Sequence, residues 1–379
     1  MAFTGRAIYD ADDGTNTVFQ GIAEDVSSII SMISPTATPL LDFLGDAYMP
    51  ASNVLHEWME EELTPDTVVS SSTIIDSTNA TAFGAHSGGL SVGTFIPAGT
   101  ILKNNDTGEY VQVSSTTAGT ITVSRAFGGS TIATVTAGNT FMVIAANALE
   151  GADVGADISR PRARNTNYCQ IMKRDVVVSG TAQAVSNIGV SSEFDHQVTN
   201  RTREALRDLE KAVILSKLSG NTIGSSTAYR SMKGLWDFIS TNATSTGSLT
   251  ASILDDVIQT AWNYGATDLN LIVADPTWAR QIDNFNTSRV QVSNVDERYH
   301  AKVSVFEGSF GPLPVIMSRW MPSPSVMVLS TERVKVVPLR GRSFHYEEVA
   351  KTGDALKGMV IGEYTLEVRN EKGLAKAYA

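Results

Sequence analysis

Alternation of apolar and polar residues predicts a strand that leads into one long helix. Residues 167–180 alternate with a period of two, which is typical of a β-strand. Beyond them, Ser191 or Ser192 can cap a helix with apolar residues at steps of three and four. That apolar stripe consists of Phe194, Val198, Ala205, Leu206, Leu209, Ala212 and Val213. A helix over residues 191–218, with Gly220 just past its end, would be roughly 40 Å long, which is typical of a strut in a broad structural domain.

A second pattern marks residues 84–146, which are rich in Gly, Ser, Thr and Val and nearly free of charge. Short alternating runs separated by turn sequences such as NNDTG and FGGS predict a small β-barrel or sandwich. The predicted strands cover residues 90–95, 100–102, 109–113, 120–125, 132–136 and 140–144. A strand over 53–62 is expected to pair antiparallel with the strand that resumes at Asn167, so this block is inserted into a hairpin. A disordered Ser/Thr-rich linker is the weaker alternative, because β-branched and aromatic residues alternate within the block.

The rest of the chain predicts mixed α and β structure. Residues 248–264 have a helical apolar stripe, and a continuous apolar strand over 269–274 is followed by Asp275 and Pro276, which suit the start of a helix through Phe285. Further strands are predicted over residues 303–306, 313–317, 326–329, 334–337 and 359–369. Short apolar pieces at 25–33 and 40–44 belong to an N-terminal arm. The fold class is therefore predicted to be α+β.

Composition narrows the function classes. The chain has 379 residues, of which 42% are hydrophobic and 18% charged, with a formal net charge of −11. Tight nucleic-acid binding requires basic clusters, and the sequence has none. We expect no membrane span and no signal peptide, and hence a cytoplasmic origin, since no apolar run has the necessary length. A single cysteine, Cys169, excludes an internal disulfide.

Candidate catalytic and metal motifs are each incomplete. GLSVG at 89–93 has the spacing of a nucleophile elbow, but an extended sequence follows it where a helix is required. His56 and Glu57 begin like a zinc signature that lacks its second histidine, and the aspartates at 10–13 lack calcium-loop spacing. No phosphate-binding loop is present. We therefore predict no catalytic, cofactor-binding or metal-binding residues, and a protein that is not an enzyme.

The order of these elements resembles the major capsid protein family of tailed bacteriophages. The resemblance is carried by an arm, a two-stranded loop with HEW at 56–58 on one side and residues 170–181 on the other, a long helix and a mixed domain. The closing pattern GEYTLEV at 362–368 and the inserted block at 84–146 are similar to family members that carry an extra β-domain in this loop. The resemblance implies the Hong Kong 97-type capsid fold.

The resemblance also implies a division into domains. It assigns 1–50 to the N-terminal arm, 51–83 and 147–180 to the extended loop, 84–146 to the inserted β-domain, 181–231 and 331–371 to the peripheral domain with a spine helix at 191–218, and 232–330 and 372–379 to the axial domain. By the same resemblance, the protein self-assembles into the icosahedral shell that encloses a double-stranded DNA genome, and it is a virion component assembled in the host bacterial cytoplasm.

The implied partners are other copies of this chain in hexamers and pentamers. A separate scaffolding protein, a portal at one vertex, packaged DNA held without sequence specificity and a decoration protein are further expected partners. The residues predicted to contact neighbouring subunits are Leu40, Phe43, Trp58, Met59, Gln170 and Met172. Packing of these side chains within their own subunit is the alternative. Two other function classes stay open at this point: an encapsulin-like compartment shell, and a β-rich surface adhesin or polysaccharide-processing enzyme.

Overall fold

The computed structural model describes most of the chain from Ala37 onward. The described residues are 37–45, 49–74, 79–87, 90–117, 119–155, 157–185, 190–220, 224–287, 304–351 and 353–379. The predicted arm before Ala37, including the helical piece at 25–33, lies outside them.

Helices and strands both occur within this described part. Its α-helices are α1 (Pro39–Leu44), α2 (Gly180–Ala184), α3 (Glu193–Leu215), α4 (Leu235–Phe238), α5 (Ala251–Asn263) and α6 (Pro276–Thr287). Its strands are β1 (Leu55–Glu60), β2 (Thr67–Ser70), β3 (Asn79–Ser87), β4 (Leu90–Ser91), β5 (Thr100–Asn104), β6 (Tyr110–Thr117), β7 (Thr120–Ser124), β8 (Thr140–Ala146), β9 (Ala163–Tyr168), β10 (Gln170–Ser179), β11 (Ala243–Ser245), β12 (Leu271–Ala274), β13 (Ser304–Gly308), β14 (Gly311–Met317), β15 (Ser325–Leu329), β16 (Val334–Pro338), β17 (His345–Val349), β18 (Ala355–Val368) and β19 (Ala375–Tyr378).

The chain divides into two units, and it passes between them twice. The larger unit consists of residues up to Trp58 together with Thr166–Ala379, and the smaller unit is Met59–Asn165. Strands β1 and β9 pair in a two-stranded sheet at these two crossings.

The smaller unit contains an antiparallel sheet in the order β2-β8-β5-β6-β7-β3-β4. Because β2 also pairs with β3, the sheet closes on itself as a barrel. Its core is formed by the alternate inward-facing residues, including Leu102, Val111, Val113 and Phe141, as the period-two pattern requires.

The barrel differs from the sequence prediction at three places. It includes β2 and β3, which begin before residue 84. Strand β2 has only four residues and ends at the serine run 70–72, so its alternation is too short to be recognised. The strand predicted over 90–95 was wrong beyond Ser91, since the Phe95 amide donates to the Val92 carbonyl over 3.3 Å and closes a 3-10 turn over Val92–Thr94. The strand predicted over 132–136 is reduced to a bridge between Ile74 and Val135.

The larger unit contains two sheets, and α3 packs on the first of them. In this sheet, β18 pairs antiparallel with β10 on one side and with β16 and β17 on the other. The single strand predicted over 167–180 is broken at Cys169, whose amide donates to the Val54 carbonyl over 2.8 Å. The chain therefore changes its pairing partner from β1 to β18 at this residue.

Helix α3 starts as predicted, because the Ser192 hydroxyl accepts a hydrogen bond from the Asp195 amide over 3.3 Å. It ends at Leu215, earlier than predicted, because the chain turns at Ser216 and the carbonyl of Ser216 accepts from the Gly234 amide over 2.8 Å. Its buried stripe consists of Ala205, Leu209, Glu210, Val213 and Ile214. Leu206, predicted to be in this stripe, is 39% exposed.

The second sheet has the order β11-β19-β15-β12-β14-β13, with β12 parallel to β14. Helices α5 and α6 contribute to its core, in which Trp278 and Ile282 are buried. The predicted cap of α6 is present, since the Asp275 carboxylate accepts from the amides of Thr277 and Trp278, each over 3.0 Å. The C-terminal strand β19 lies in this sheet between β11 and β15.

Candidate subunit interface

Three of the six predicted contact residues lie in the core of their own chain. Leu40 is fully buried, and Trp58 and Met172 are buried in the same hydrophobic cluster of the larger unit. The ring of Trp58 lies 6.1 Å from the ring of Phe238, measured between centroids. Apolar side chains that a subunit already buries have little area left to bury against a neighbour. These three therefore stabilise their own subunit, and a role for them between subunits stays a prediction.

The other three predicted contact residues are partly or largely accessible. Phe43 is 44% exposed at the end of α1, and Met59 is 61% exposed. Gln170 is half-buried, and its side-chain oxygen accepts from the Met232 amide over 3.2 Å. Phe43 and Met59 have apolar area available for a partner, whereas Gln170 is engaged within its own subunit. Their interface role also stays a prediction.

Two oppositely charged stretches lie side by side in the smaller unit. Arg160 contacts the Glu62 carboxylate over 3.4 Å and donates to the Leu63 carbonyl over 2.6 Å. Arg162 contacts the carboxylate of Glu61 over 3.4 Å. Ion pairs as exposed as these contribute little to stability, typically about 0–1 kcal/mol. Opposite charges facing each other nevertheless favour one alignment of the two stretches over others.

The segments 59–63 and 149–158 of the smaller unit carry large apolar side chains in contact with solvent. Leu63 is 89% exposed, Leu149 85% and Val154 95%, and Met59 and Ile158 are also exposed. Single exposed apolar side chains are common, whereas five of them within two short segments of the sequence are candidates for burial against a partner. We call these five residues the apolar loop surface. Of these five, only Met59 is among the contact residues predicted from sequence, although Leu63 directly follows the acidic run Glu60–Glu62.

A buried charged network follows β18 in the larger unit. Glu363 accepts from the Arg230 guanidinium over 2.7 Å and lies 2.5 Å from Arg342. Glu367 bonds to His56 over 2.8 Å and accepts from Arg369 over 2.5 Å. The hydrogen bond from His56, and then that from Arg369, hold the pKa of the Glu367 carboxyl below its usual value. Each of these two carboxylates is paired with two side chains, so the network supports the sheet.

The described residues were searched for metal sites, reactive side chains and membrane-spanning helices. They contain no group of three or more His, Cys, Asp or Glu residues that could hold a metal ion. Burial raises the pKa of the Cys169 thiol to about 11, which disfavours the reactive thiolate. Within this part of the chain, no helix has the length and apolar character needed to cross a membrane. His56, considered as a fragment of a zinc motif, instead contacts Glu367. The aspartates at 10–13 lie outside the described residues.

Comparison with known proteins identifies the family. The sequence profile of a family described as SU10 major capsid protein matches residues 11–378. The chain belongs to the SU10 major capsid protein family. The predicted relationship to phage major capsid proteins is thereby confirmed, and this capsid protein is a structural subunit of a phage shell. Family membership favours the phage shell over an encapsulin compartment, an adhesin or a polysaccharide-processing enzyme.

Two solved capsid structures have the same fold as this capsid protein. The capsid of Myoviridae Phage XM1 is similar with a TM-score of 0.51 and 9% identity, covering 93% of this chain and 96% of that chain. The capsid of an empty GTA particle is similar with a TM-score of 0.50 and 8% identity, covering 94% of each chain. The holo-SrpI encapsulin complex from Synechococcus elongatus PCC 7942 has a TM-score of 0.44 and 14% identity, covering 57% of this chain and 75% of that chain. No curated protein matches the sequence. The predicted α+β capsid fold of the Hong Kong 97 type is confirmed.

Proposed function

We propose that this SU10-family protein assembles into an icosahedral shell around double-stranded DNA, held together by its N-terminal arm and by the apolar loop surface. The observation that carries the proposal is that surface, because Leu63, Leu149 and Val154 expose apolar area that the subunit itself does not bury. Each contact of this size contributes only a modest free energy of association. Many such contacts in a closed symmetric shell add up, while each single contact remains reversible during assembly.

We further propose that the subunit has the domain plan of its fold. The arm covers 1–50, the extended loop 51–83 and 147–180, the inserted β-domain 84–146, the peripheral domain 181–231 and 331–371, and the axial domain 232–330 and 372–379. Support for the last two comes from the sheets of the larger unit, since β16, β17 and β18 share one sheet and β19 belongs to the other, whereas β10 joins the first sheet from the extended loop. The apolar loop surface then belongs to the extended loop.

The proposed partners follow from this role. Neighbouring copies in hexamers and pentamers are the main ones, joined by a scaffolding protein during assembly in the host cytoplasm, a portal at one vertex and a decoration protein. DNA is enclosed without sequence-specific binding. A net charge of −11 supports this last point, because a shell that encloses DNA without holding it needs no basic cluster.

Truncation of the arm tests the proposal. We expect deletion of residues 1–20 to leave a soluble subunit that forms few or no shells, as judged by sedimentation and negative-stain microscopy. Deletion of residues 1–9 is the matched control, because the family match begins at residue 11. Normal shells from the longer deletion would rule out the role of the arm.

A further inference from the structure

Glu210 is a fully buried carboxylate on α3 that binds the start of another helix. One side-chain oxygen accepts from the Leu40 amide over 3.0 Å, and the other accepts from the Leu41 amide over 2.9 Å. Both amides belong to the first turn of α1, which lies 170 and 169 residues earlier in the chain. Within the described residues, Glu210 has no ion pair with a basic side chain. Among these residues, the partners of its carboxylate are the two backbone N–H groups of α1.

These two bonds complete the hydrogen bonding of the first turn of α1. Pro39 has no N–H group, and the amide of Asp42 donates to the Thr38 carbonyl over 3.0 Å. Thr38 stands at the capping position but makes no side-chain cap. Glu210 thus supplies the acceptors that a local cap normally provides. A helix of six residues is too short to be stable in isolation, so its position depends on such tertiary contacts.

The same contacts hold residues 37–45, the part of the N-terminal arm that contains α1, within the larger unit. Leu40 is fully buried in the main core, and the Trp320 indole N–H donates to the Ala37 carbonyl over 3.1 Å. The Lys211 ammonium lies 4.3 Å from the centre of the Trp320 ring. Lys211 directly follows Glu210 on α3, so two neighbouring residues of this helix help to hold residues 37–41. The 36 residues that precede Ala37 could span up to about 120 Å if extended, which is enough to reach a neighbouring subunit.

We propose that Glu210 is the positioning residue of the N-terminal arm: by holding α1 against α3, it sets where residues 1–36 leave the subunit and so directs them to a neighbouring copy. The inference rests on the proposed role of the arm in assembly. Hydrophobic packing of Leu40 alone holds a side chain in place, whereas two hydrogen bonds to one carboxylate also fix the direction of the helix.

The cost of burying Glu210 supports a positioning role over a purely stabilising one. Burial raises the pKa of this carboxyl, the two amides of α1 lower it, and the nearby Asp42 raises it further. A buried carboxylate without a cationic partner is an expensive way to stabilise a core. An apolar side chain would fill this place at less cost, but it would leave the amides of Leu40 and Leu41 without acceptors.

Hydrogen exchange of the full chain, held below its assembly concentration, tests the inference. Glu210→Gln retains one acceptor oxygen and Glu210→Ala retains none. We expect exchange in residues 37–45 to be about tenfold faster or more in Glu210→Gln and faster still in Glu210→Ala. Exchange in α3 and in the strand β18 should stay unchanged, and both variants should need a higher subunit concentration to form shells.

Glu204→Gln is the matched control on the same helix, since Glu204 forms a partly exposed pair with Arg201. We expect it to behave like the wild type in both assays. The inference is overturned if the Glu210 variants exchange like this control, if faster exchange spreads through α3 and the core, or if α1 is released while shells form normally. If the variants do not fold, hydrogen exchange of the wild-type chain tests the inference. We expect the amides of Leu40 and Leu41 to be protected from exchange, and rapid exchange of both contradicts the inference. Normal assembly after deletion of residues 1–20 would instead refute the proposed function of the arm, and the exchange result would still test the anchor.

Discussion

Replacement of Met59 by serine should weaken shell assembly without destabilising the subunit. Met59 is 61% exposed, so this fraction of the side chain is free to be buried by a neighbouring copy. Complete burial of a methionine side chain contributes about 1.5–3 kcal/mol, so the remaining area is worth about 1–2 kcal/mol per contact. Converted to concentration, this corresponds to an increase of about 5- to 30-fold in the subunit concentration needed for assembly.

The assay is in vitro assembly monitored by light scattering over a series of subunit concentrations. Met59→Leu is the matched control, because leucine keeps a similar apolar area at the same position, and it should assemble as the wild type does. Chemical denaturation of the unassembled subunit should differ by no more than about 0.5 kcal/mol among the three proteins, since the position is exposed. Equal assembly of the serine and leucine variants would refute the reasoning.

Two further predictions concern buried and half-buried charges. Glu109→Gln should destabilise the barrel by about 3–5 kcal/mol in chemical denaturation, because Glu109 accepts from Arg125 Nε over 2.9 Å at a site where both side chains are buried; an unchanged midpoint would contradict this. Asp268→Asn should lower the free energy of unfolding by about 1.5–3 kcal/mol near neutral pH, because it breaks a bidentate pair in which Arg333 Nη2 donates to Oδ1 and Arg333 Nε donates to Oδ2. Since the hydrogen bonds from Arg333 lower the pKa of the Asp268 carboxyl below 3.8, this stabilisation is present above pH 3.8 and is lost as the pH falls through the lowered value. The free energies of unfolding of the variant and the wild type should therefore converge in strong acid. A difference that stays constant down to that range would count against a stabilising role of the Asp268–Arg333 pair.

The elements predicted correctly from sequence are those whose local pattern and tertiary environment agree. In β5, the buried positions Thr100, Leu102 and Asn104 alternate with partly exposed ones, so period two was sufficient. The start of α3 at Ser192 and the start of α6 at Asp275 depend on neighbouring amides, which the sequence places within reach.

The elements missed depend on distant partners. Strand β17, with the sequence HYEEV, is largely polar and is a strand because β18 pairs with it. The ring of Tyr346 packs where a side chain on Gly358 would stand, so that glycine is required for the close approach. Glu210 is likewise buried on α3 without a local sequence signal. Its partners, the amides of Leu40 and Leu41, lie about 170 residues away in the chain.

The candidate interface residues also differ in whether a periodic sequence pattern marks them. Aromatic and apolar residues in alternating strands, such as Trp58 and Met172, are found in the core because alternation reports a buried face without saying which surface buries it. Leu63 and Val154 lie outside the strands and have no periodicity to mark them. Their exposure becomes visible only after the fold is known.

Electron cryomicroscopy of particles assembled from this chain is the most direct test of whether the apolar loop surface joins neighbouring subunits of a shell. We expect closed icosahedral shells in which Met59, Leu63 and Val154 of each subunit are buried against a neighbouring copy. Shells in which these three side chains remain in solvent, or protein that stays monomeric under assembly conditions, would contradict it.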